Sequence, residues 1–339
     1  MSNAMTWMVL GAAAFVFTAA GTLAYRAFAL RRGILANPNF RTLHDRPKPR
    51  GGGIVFSCVF LALVAILGWA GSLDAATTRA IGLGGAVATV FGFVDDAVHI
   101  NAFAKLATQG ALAAWALVCF GAKPLFDLPW IPAPVELGVS WFALVWLMNA
   151  YNFMDGVDGM AASGAVFICT AAMAALLLAR GDAGLTLALG LLALCCLGFL
   201  VFNWPPASIF MGDSGSLFLG YCFGALMVRT ISGEEVTLWT WLVILGYFGG
   251  DTTTTTLTRI CVTRKWYGAH RSHAYQNLAR IWSDHRKVTV GVILYHALWL
   301  MPLTVLSVLV PAAGPLAAAL ALGPVVLWTL RYGPRLSSA

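Results

Sequence analysis

The chain is expected to be an all-α polytopic integral membrane protein, and three observations predict it. Of its 339 residues, 60% are hydrophobic and only 10% are charged, with a mean hydropathy of +0.80. A water-soluble domain carries about 25% charged residues. About eleven apolar stretches approach the length that crosses a bilayer, about 20 residues each. Lysine and arginine are concentrated in alternate connections between those stretches.

The stretches lie at 6–30, 52–70, 78–94, 103–121, 138–151, 160–180, 185–202, 215–231, 237–259, 288–310 and 315–331. The first lacks a charged leading region and a small-residue cleavage site, so it reads as a retained helix. Residues 1–4 read as an expression scar before a start at Met5, and residues 5–339 as one transmembrane domain. The fifth stretch is short, and a break there would change the count. One set of connections holds Arg31, Arg32, Arg41, Arg46, Lys48, Arg50, Lys105, Arg259, Arg264, Lys265, Arg271, Arg280, Arg286, Lys287, Arg331 and Arg335. The other holds little beyond Arg79, Lys123, Arg180 and Arg229. By the positive-inside rule the first set is cytoplasmic, with the amino terminus outside and the carboxyl terminus inside. Trp69, Trp130, Trp141, Trp239 and Trp241 then fall near the outer interface, as an aromatic belt does. The seven cysteines include no Cys-x-x-Cys, and most lie in apolar runs, so neither a zinc site nor a disulfide framework is indicated.

Acidic motifs stand at the ends of these greasy segments, on the predicted inner face. A carboxylate at the centre of a membrane helix costs about 2.5–3.5 kcal/mol on insertion scales, so their grouping calls for a task. Asp95 and Asp96 repel each other and want a cation or a proton; they read as a base or the neighbour of a metal. Lys105 either snorkels or holds a phosphate beside them, with Gln109 on the same face. Asn149, Asn152 and Asp155 recur every three residues and share one face of a helix end. Gly156 and Gly159 then break the helix around Asp158. Asp213 follows the prolines that end the seventh stretch; it either caps the next helix or offers a carboxylate to a metal. His270, Arg271 and His273 sit in a basic loop, and Arg271 between the histidines favours phosphate over a metal. Asp251, before five threonines, is either a packing partner or part of the site wall.

Carboxylates and amides grouped this way suit a hard cation such as magnesium, which in turn suits phosphate. Two phosphate-bearing reactants about 4 Å apart repel by roughly 4 kcal/mol per charge pair at an effective dielectric of 20. Magnesium with Lys105, Arg271 and the histidines could offset that. No Gly-x-x-x-x-Gly-Lys-Ser/Thr occurs, which argues against a P-loop ATPase. A transporter with carboxylates as coupling-ion sites is the rival of another class. It is disfavoured because the chain shows no matching halves and the acids sit at the inner ends.

Together these residues resemble the polyprenyl-phosphate N-acetylhexosamine-1-phosphate transferase superfamily, from Asp45-Arg46-Pro47-x-Pro49-Arg50-Gly51-Gly52-Gly53 through His273. The resemblance implies a single transmembrane transferase domain with its active site in a cytoplasmic-face cleft of a bacterial inner membrane. It implies transfer of a sugar-1-phosphate from a UDP-N-acetylhexosamine to undecaprenyl phosphate with release of UMP. Magnesium is the implied cofactor, with manganese as a substitute. Membrane lipid is a further partner, a homodimer is allowed, and no nucleic acid is expected. Asp95, Asp96, Asp155 and Asp158 match catalytic positions. Asn152 and Asp213 match metal-holding ones. Lys105, His270, Arg271, His273, Arg46, Lys48, Arg50 and Asn203 form the substrate- and phosphate-binding set. The muramyl-peptide branch resembles a triple-histidine loop. Here Arg271-Ser272 interrupts the histidines, which is similar to the branch that starts O-antigen and related surface polysaccharides. That branch uses UDP-N-acetylglucosamine or deoxy relatives such as N-acetylfucosamine and N-acetylquinovosamine.

Overall fold

The computed structural model describes residues 3–36, 47–98, 100–126, 130–264, 268 and 270–334. The expression-scar reading of residues 1–4 and the phosphate-binding role of Arg46 fall wholly or partly outside them. Helix α1 (Asn3–Arg32) leads to two short antiparallel strands, β1 (Leu35–Ala36) and β2 (Lys48–Pro49), with Leu35 opposite Pro49 and Ala36 opposite Lys48. Next come α2 (Gly53–Trp69) and α3 (Ala75–Arg79), which runs through a π-helical turn (Ala80–Gly84) into α4 (Gly85–Val98). They are followed by α5 (Ala102–Cys119), α6 (Ala133–Phe153), α7 (Met160–Ala179), α8 (Ala183–Asn203) and α9 (Asp213–Ser232). The last third holds α10 (Leu238–Ile244), α11 (Gly246–Val262), α12 (Ala274–Trp282), α13 (His285–Tyr295), α14 (Met301–Leu309) and α15 (Gly314–Tyr332).

The chain is an all-α polytopic membrane protein. Among the described residues, nine helices are long and apolar enough to cross a bilayer. The other two expected stretches differ from a plain span. Helix α2 has 17 residues, and the stretch at 237–259 is interrupted at Leu245 (φ −88°, ψ 3°) between α10 and α11. The fifth span is not short: α6 has 21 residues. It starts early because Pro134 sits in its first turn, where a missing N–H goes unmissed. It continues late because Asn149 and Gln109 of α5 exchange amide hydrogen bonds of 2.8 and 3.3 Å, which satisfies polar groups in an apolar bundle.

Local chemistry accounts for several helix starts. The Asp74 carboxylate accepts from the Thr77 N–H at 2.8 Å, Asn101 from Ala104 at 2.9 Å, and Asp182 from Leu185 at 2.8 Å. Large apolar side chains such as Trp69, Phe103 and Leu298 are left outside, as on a surface that lipid covers.

Helix α9 is the axis of the bundle, with every residue from Ser214 to Val228 buried. Glycine permits the close packing of its first turn. A side chain on Gly53 would collide with the Gly215 backbone, and one on Gly92 with the Asp213 carbonyl. Helices α2 and α4 therefore meet α9 almost backbone to backbone, the way small residues pack helices in membranes. That contact brings the end of α4 against the start of α9.

Candidate active site

The segment after β2 docks on the α8–α9 connection. The Phe210 N–H donates to the Pro49 carbonyl (2.8 Å), Gly52 to Phe210 (3.0 Å) and Gly53 to Met211 (2.9 Å). This seam holds Arg50 beside the first turn of α9, and the Tyr25 hydroxyl donates to the Arg50 carbonyl at 3.1 Å.

Asp96 is buried at the end of α4. Its Oδ1 accepts the Asp213 N–H at 2.9 Å and its Oδ2 the Ser214 N–H at 3.1 Å. These are orphan donors of the α9 N-terminus, where the helix dipole favours negative charge. Arg50 Nε pairs with Asp96 Oδ1 at 2.8 Å. Gly212, at φ 75°, precedes α9 and lies against the Asp96 carboxylate, which leaves no room for a Cβ. Asp213 therefore does not cap its own helix; Asp96 does so from α4.

The Asp213 carboxylate is half-buried and turned to three neighbours: Arg50 after β2, Lys105 of α5 and Asn152 of α6. Its Oδ1 lies 3.3 Å from Arg50 and 3.1 Å from Asn152 Nδ2, and its Oδ2 lies 3.4 Å from Lys105 Nζ. Lys105 also pairs with Asp95 Oδ2. Asp95 Oδ1 accepts the Ile100 N–H at 2.7 Å, which closes the turn from α4 to α5. Asn152 spends its other donor on Ser216 Oγ at 2.8 Å. Asp155, half-buried in the turn after α6, faces the same cluster. Burial pushes its carboxyl well above the usual carboxylate range, and Asp213 and Asp96 add to that, with Arg50 opposing.

Asp158 and Asn203 belong to a neighbouring brace. Asp158 Oδ2 accepts the Ala207 N–H at 2.9 Å and lies 3.7 Å from Lys48; its Oδ1 lies 3.4 Å from His285 Nδ1. Burial works to raise the Asp158 carboxyl, but His285, the Ala207 N–H and Lys48 outweigh it and hold the group below its ordinary value. Its carbonyl accepts the Thr289 hydroxyl at 2.7 Å. Buried Asn203 accepts the Gly159 N–H at 3.1 Å and donates to the Ile209 carbonyl at 2.9 Å. The structure thus brings Asp95, Asp96, Lys105, Asn152, Asp155, Asp213 and Arg50 together. It sets Asp158, Lys48 and Asn203 to tie the adjoining turns.

The histidine loop abuts this cluster through the end of α6. The Tyr275 hydroxyl donates to the Phe153 carbonyl at 2.6 Å, and Phe153 lies 6.5 and 6.0 Å from the His270 and His273 rings. The two imidazoles stack at 5.1 Å. His270 Nδ1 lies 3.0 Å from Ser272 Oγ, and His273 Nδ1 lies 3.0 Å from Asp251 Oδ2.

The profile of the family described as "Glycosyl transferase family 4" matches residues 78–231, which span the acidic cluster but not Arg50 or the histidine loop. A Bacillus subtilis protein named probable undecaprenyl-phosphate N-acetylglucosaminyl 1-phosphate transferase is 33% identical over 274 residues, 77% of this chain and 74% of that one. The chain belongs to glycosyl transferase family 4, the polyprenyl-phosphate hexosamine-1-phosphate transferases. A Mycobacterium tuberculosis decaprenyl-phosphate N-acetylglucosaminephosphotransferase is 33% identical over 64% of this chain and 58% of its own length. A phospho-N-acetylmuramoyl-pentapeptide-transferase from Desulforudis audaxviator is 31% identical over 75% of this chain and 84% of its own.

In this family 4 transferase the donor set fits a magnesium ion. Four carboxylates, Asp95, Asp96, Asp155 and Asp213, meet two fixed cations, Arg50 and Lys105, a formal excess of two negative charges. No preformed cluster of three or more His, Cys, Asp or Glu ligands occurs among the described residues. The half-open Asp213 carboxylate among those groups is of the kind that magnesium takes, since it keeps several waters and binds one or two carboxylates with substrate phosphates. Asp213, with the Asn152 amide beside it, is the group that would hold it. Sequence reasoning passed over His285 and Thr289. His285 falls in the connection before the tenth stretch and Thr289 just inside that stretch, and the only local signal was Asp284, whose carboxylate caps α13 at 2.8 Å from the Arg286 N–H.

Proposed function

We propose that this chain transfers an N-acetylhexosamine-1-phosphate group from a UDP-sugar to undecaprenyl phosphate, releasing UMP. The reaction runs at the inner face of a bacterial cytoplasmic membrane. The segregation of lysine and arginine supports that orientation. The observation that carries the reading is the place of Asp213: it heads the most enclosed helix and stands between Arg50 and Lys105, with Asn152 opposite. Two anionic reactants can meet only where fixed cations and a metal-competent carboxylate stand together.

In this reading Arg50 and Lys105 turn from carboxylates to phosphate oxygens when the reactants arrive. Asp95 and Asp96 keep those cations aimed at the reaction centre, since each carboxylate already accepts backbone N–H groups. Arg271, which stands between His270 and His273 in the loop, brings its guanidinium to the donor diphosphate. Bound magnesium would neutralise that diphosphate and polarise it. An oxygen of the lipid phosphate forms a bond to the donor's β-phosphorus. The bond from that phosphorus to the bridging oxygen breaks, and its electron pair leaves with UMP. The lipid phosphate is ionised near neutral pH, so the step requires no base.

The names of the Bacillus and Mycobacterium relatives make UDP-N-acetylglucosamine the first donor to test. We place the product at the start of O-antigen or a related surface polysaccharide, because Arg271-Ser272 separates the histidines. The Desulforudis relative, matched over 84% of its length, supports a second reading with a muramyl-pentapeptide donor. Purified protein in lipid nanodiscs with undecaprenyl phosphate and a panel of UDP-sugars decides between them by exchange of labelled UMP. Exchange with UDP-N-acetylhexosamines supports the first reading; exchange with the muramyl donor alone overturns it.

A further inference from the structure

Asp251 stands outside the acidic cluster. It is almost fully buried in α11, 1% exposed, and three groups from two other elements converge on it. Its Oδ2 lies 3.0 Å from His273 Nδ1. Its Oδ1 accepts the Ala274 N–H at 3.2 Å and the Thr329 hydroxyl of α15 at 2.8 Å. The carboxylate therefore caps α12 and ties α12 to α15.

We propose that Asp251 is a positioning residue that holds His273 as its Nδ1–H tautomer and so turns Nε2 towards the phosphates of the donor. The argument is one of donor counting. A carboxylate only accepts, so the Nδ1 facing it must carry the proton. The contact with Asp251 is made through Nδ1 and leaves Nε2 outside it, while the ring also faces the Gln276 N–H in the capping box of α12. In the neutral ring Nε2 is a lone pair, and once protonated it is a charged donor to an anion, with Asp251 balancing the second N–H. A hydrogen-bonded carboxylate behind an imidazole sets its tautomer in the same way at metal sites, where losing the outer partner costs about 10–100-fold. That Nε2 meets donor phosphate rests on the function proposed above; the tautomer does not.

Asp251→Asn is the informative variant. Two donors, the Ala274 N–H and the Thr329 hydroxyl, already claim the Oδ1 position. The asparagine must place its oxygen there and turn its NH₂ to His273 Nδ1. The ring then has to deprotonate Nδ1 and carry its proton on Nε2. The test is solid-state NMR of the full chain in nanodiscs with ¹⁵N-labelled histidine, the His273 signal being identified by its loss in His273→Gln. The wild type should show Nδ1–H and Asp251→Asn should show Nε2–H. UMP release by Asp251→Asn should fall about 10–100-fold in kcat/KM, mainly through KM for the UDP-sugar. Thr329→Val, which removes one packing bond and leaves the carboxylate, should keep the tautomer and most of the activity. An Nε2–H tautomer in the wild type overturns the proposal, even if Asp251→Asn and Thr329→Val do not fold. Equal losses in Asp251→Asn and Thr329→Val would reduce Asp251 to a packing residue and also overturn it. If no UDP-sugar is turned over, the functional reading fails while the tautomer assignment is still decided.

Discussion

Asp96 accepts the backbone N–H of Asp213, a residue 117 positions away, at 2.9 Å. A carboxylate at the end of one helix thus supplies the cap that another helix lacks, and the capped helix begins with the carboxylate best placed for a metal. The two acids are equivalent as sequence and unlike in the fold: one is buried and saturated, the other half-open among cations.

Asp96→Ala should therefore act first on structure. It leaves two N–H donors of α9 and the Arg50 guanidinium without their buried acceptor. The cost is about 1–3 kcal/mol for an unsatisfied buried group. The unfolding temperature in detergent should drop, and UMP release should fall with it. An unchanged melting temperature would remove the capping role.

Arg50→Lys should keep the charge and lose the geometry. The guanidinium reaches Asp96 with Nε at 2.8 Å and Asp213 with Nη2 at 3.3 Å, and one ammonium cannot reproduce that fork. A drop of about 10–100-fold in turnover with little change in stability is expected, by analogy with outer partners of metal ligands. Wild-type turnover would show that only charge matters at this position.

Chelation and mutation should interact at Asp213. EDTA should abolish UMP release, and added magnesium should restore it. Because a ligand of the folded state stabilises it, by about 2.7 kcal/mol at a hundredfold excess over Kd, magnesium should raise the melting temperature of the wild type. Asp213→Ala should lose both activity and that thermal shift while remaining folded. Turnover in excess chelator would defeat the metal assignment, as would an undiminished shift in the variant.

Asp155 and Asp158 should give opposite pH signatures in the metal-free protein. The Asp155 carboxyl is raised by burial and by Asp213 and Asp96. Its ionisation penalises the fold as pH climbs above the ordinary carboxylate range, about 4. Asp155→Asn should thus melt higher than wild type at pH 7 and match it near pH 4. Burial opposes ionisation of Asp158 as well, yet His285, Ala207 and Lys48 hold its carboxyl low. Its contribution is present above the ordinary range and lost as pH falls through the folded value. Asp158→Asn should cost about 1–3 kcal/mol at pH 7, with the difference shrinking in acid. Thermal melts across pH would read both, and parallel behaviour of the two variants would contradict the assignments.

Much of this protein was legible along the chain. Low charge and long apolar runs require helices in lipid, because a bilayer offers backbone groups no partners but their own. The three-residue spacing of Asn149, Asn152 and Asp155 places them on one helix end by geometry alone, and the structure turns Asn152 and Asp155 to the acidic cluster. The length of α6 was less legible, since Gln109, which satisfies Asn149, lies 40 residues away.

The sequence by itself determined the all-α membrane class and which carboxylates and cations stand at helix ends. Both follow from hydropathy and helical periodicity, which act over a few residues. Only the tertiary structure decided which acid meets which partner: Asp96 with the start of α9, Asp213 with Arg50 and Lys105, Asp158 with Lys48 and His285, Asp251 with His273. Those pairings depend on lateral helix order and on glycine contacts such as Gly53 with Gly215 and Gly92 with Asp213. A carboxylate at a helix end reads the same in one dimension whether it caps a neighbour, braces a turn or waits for a cation.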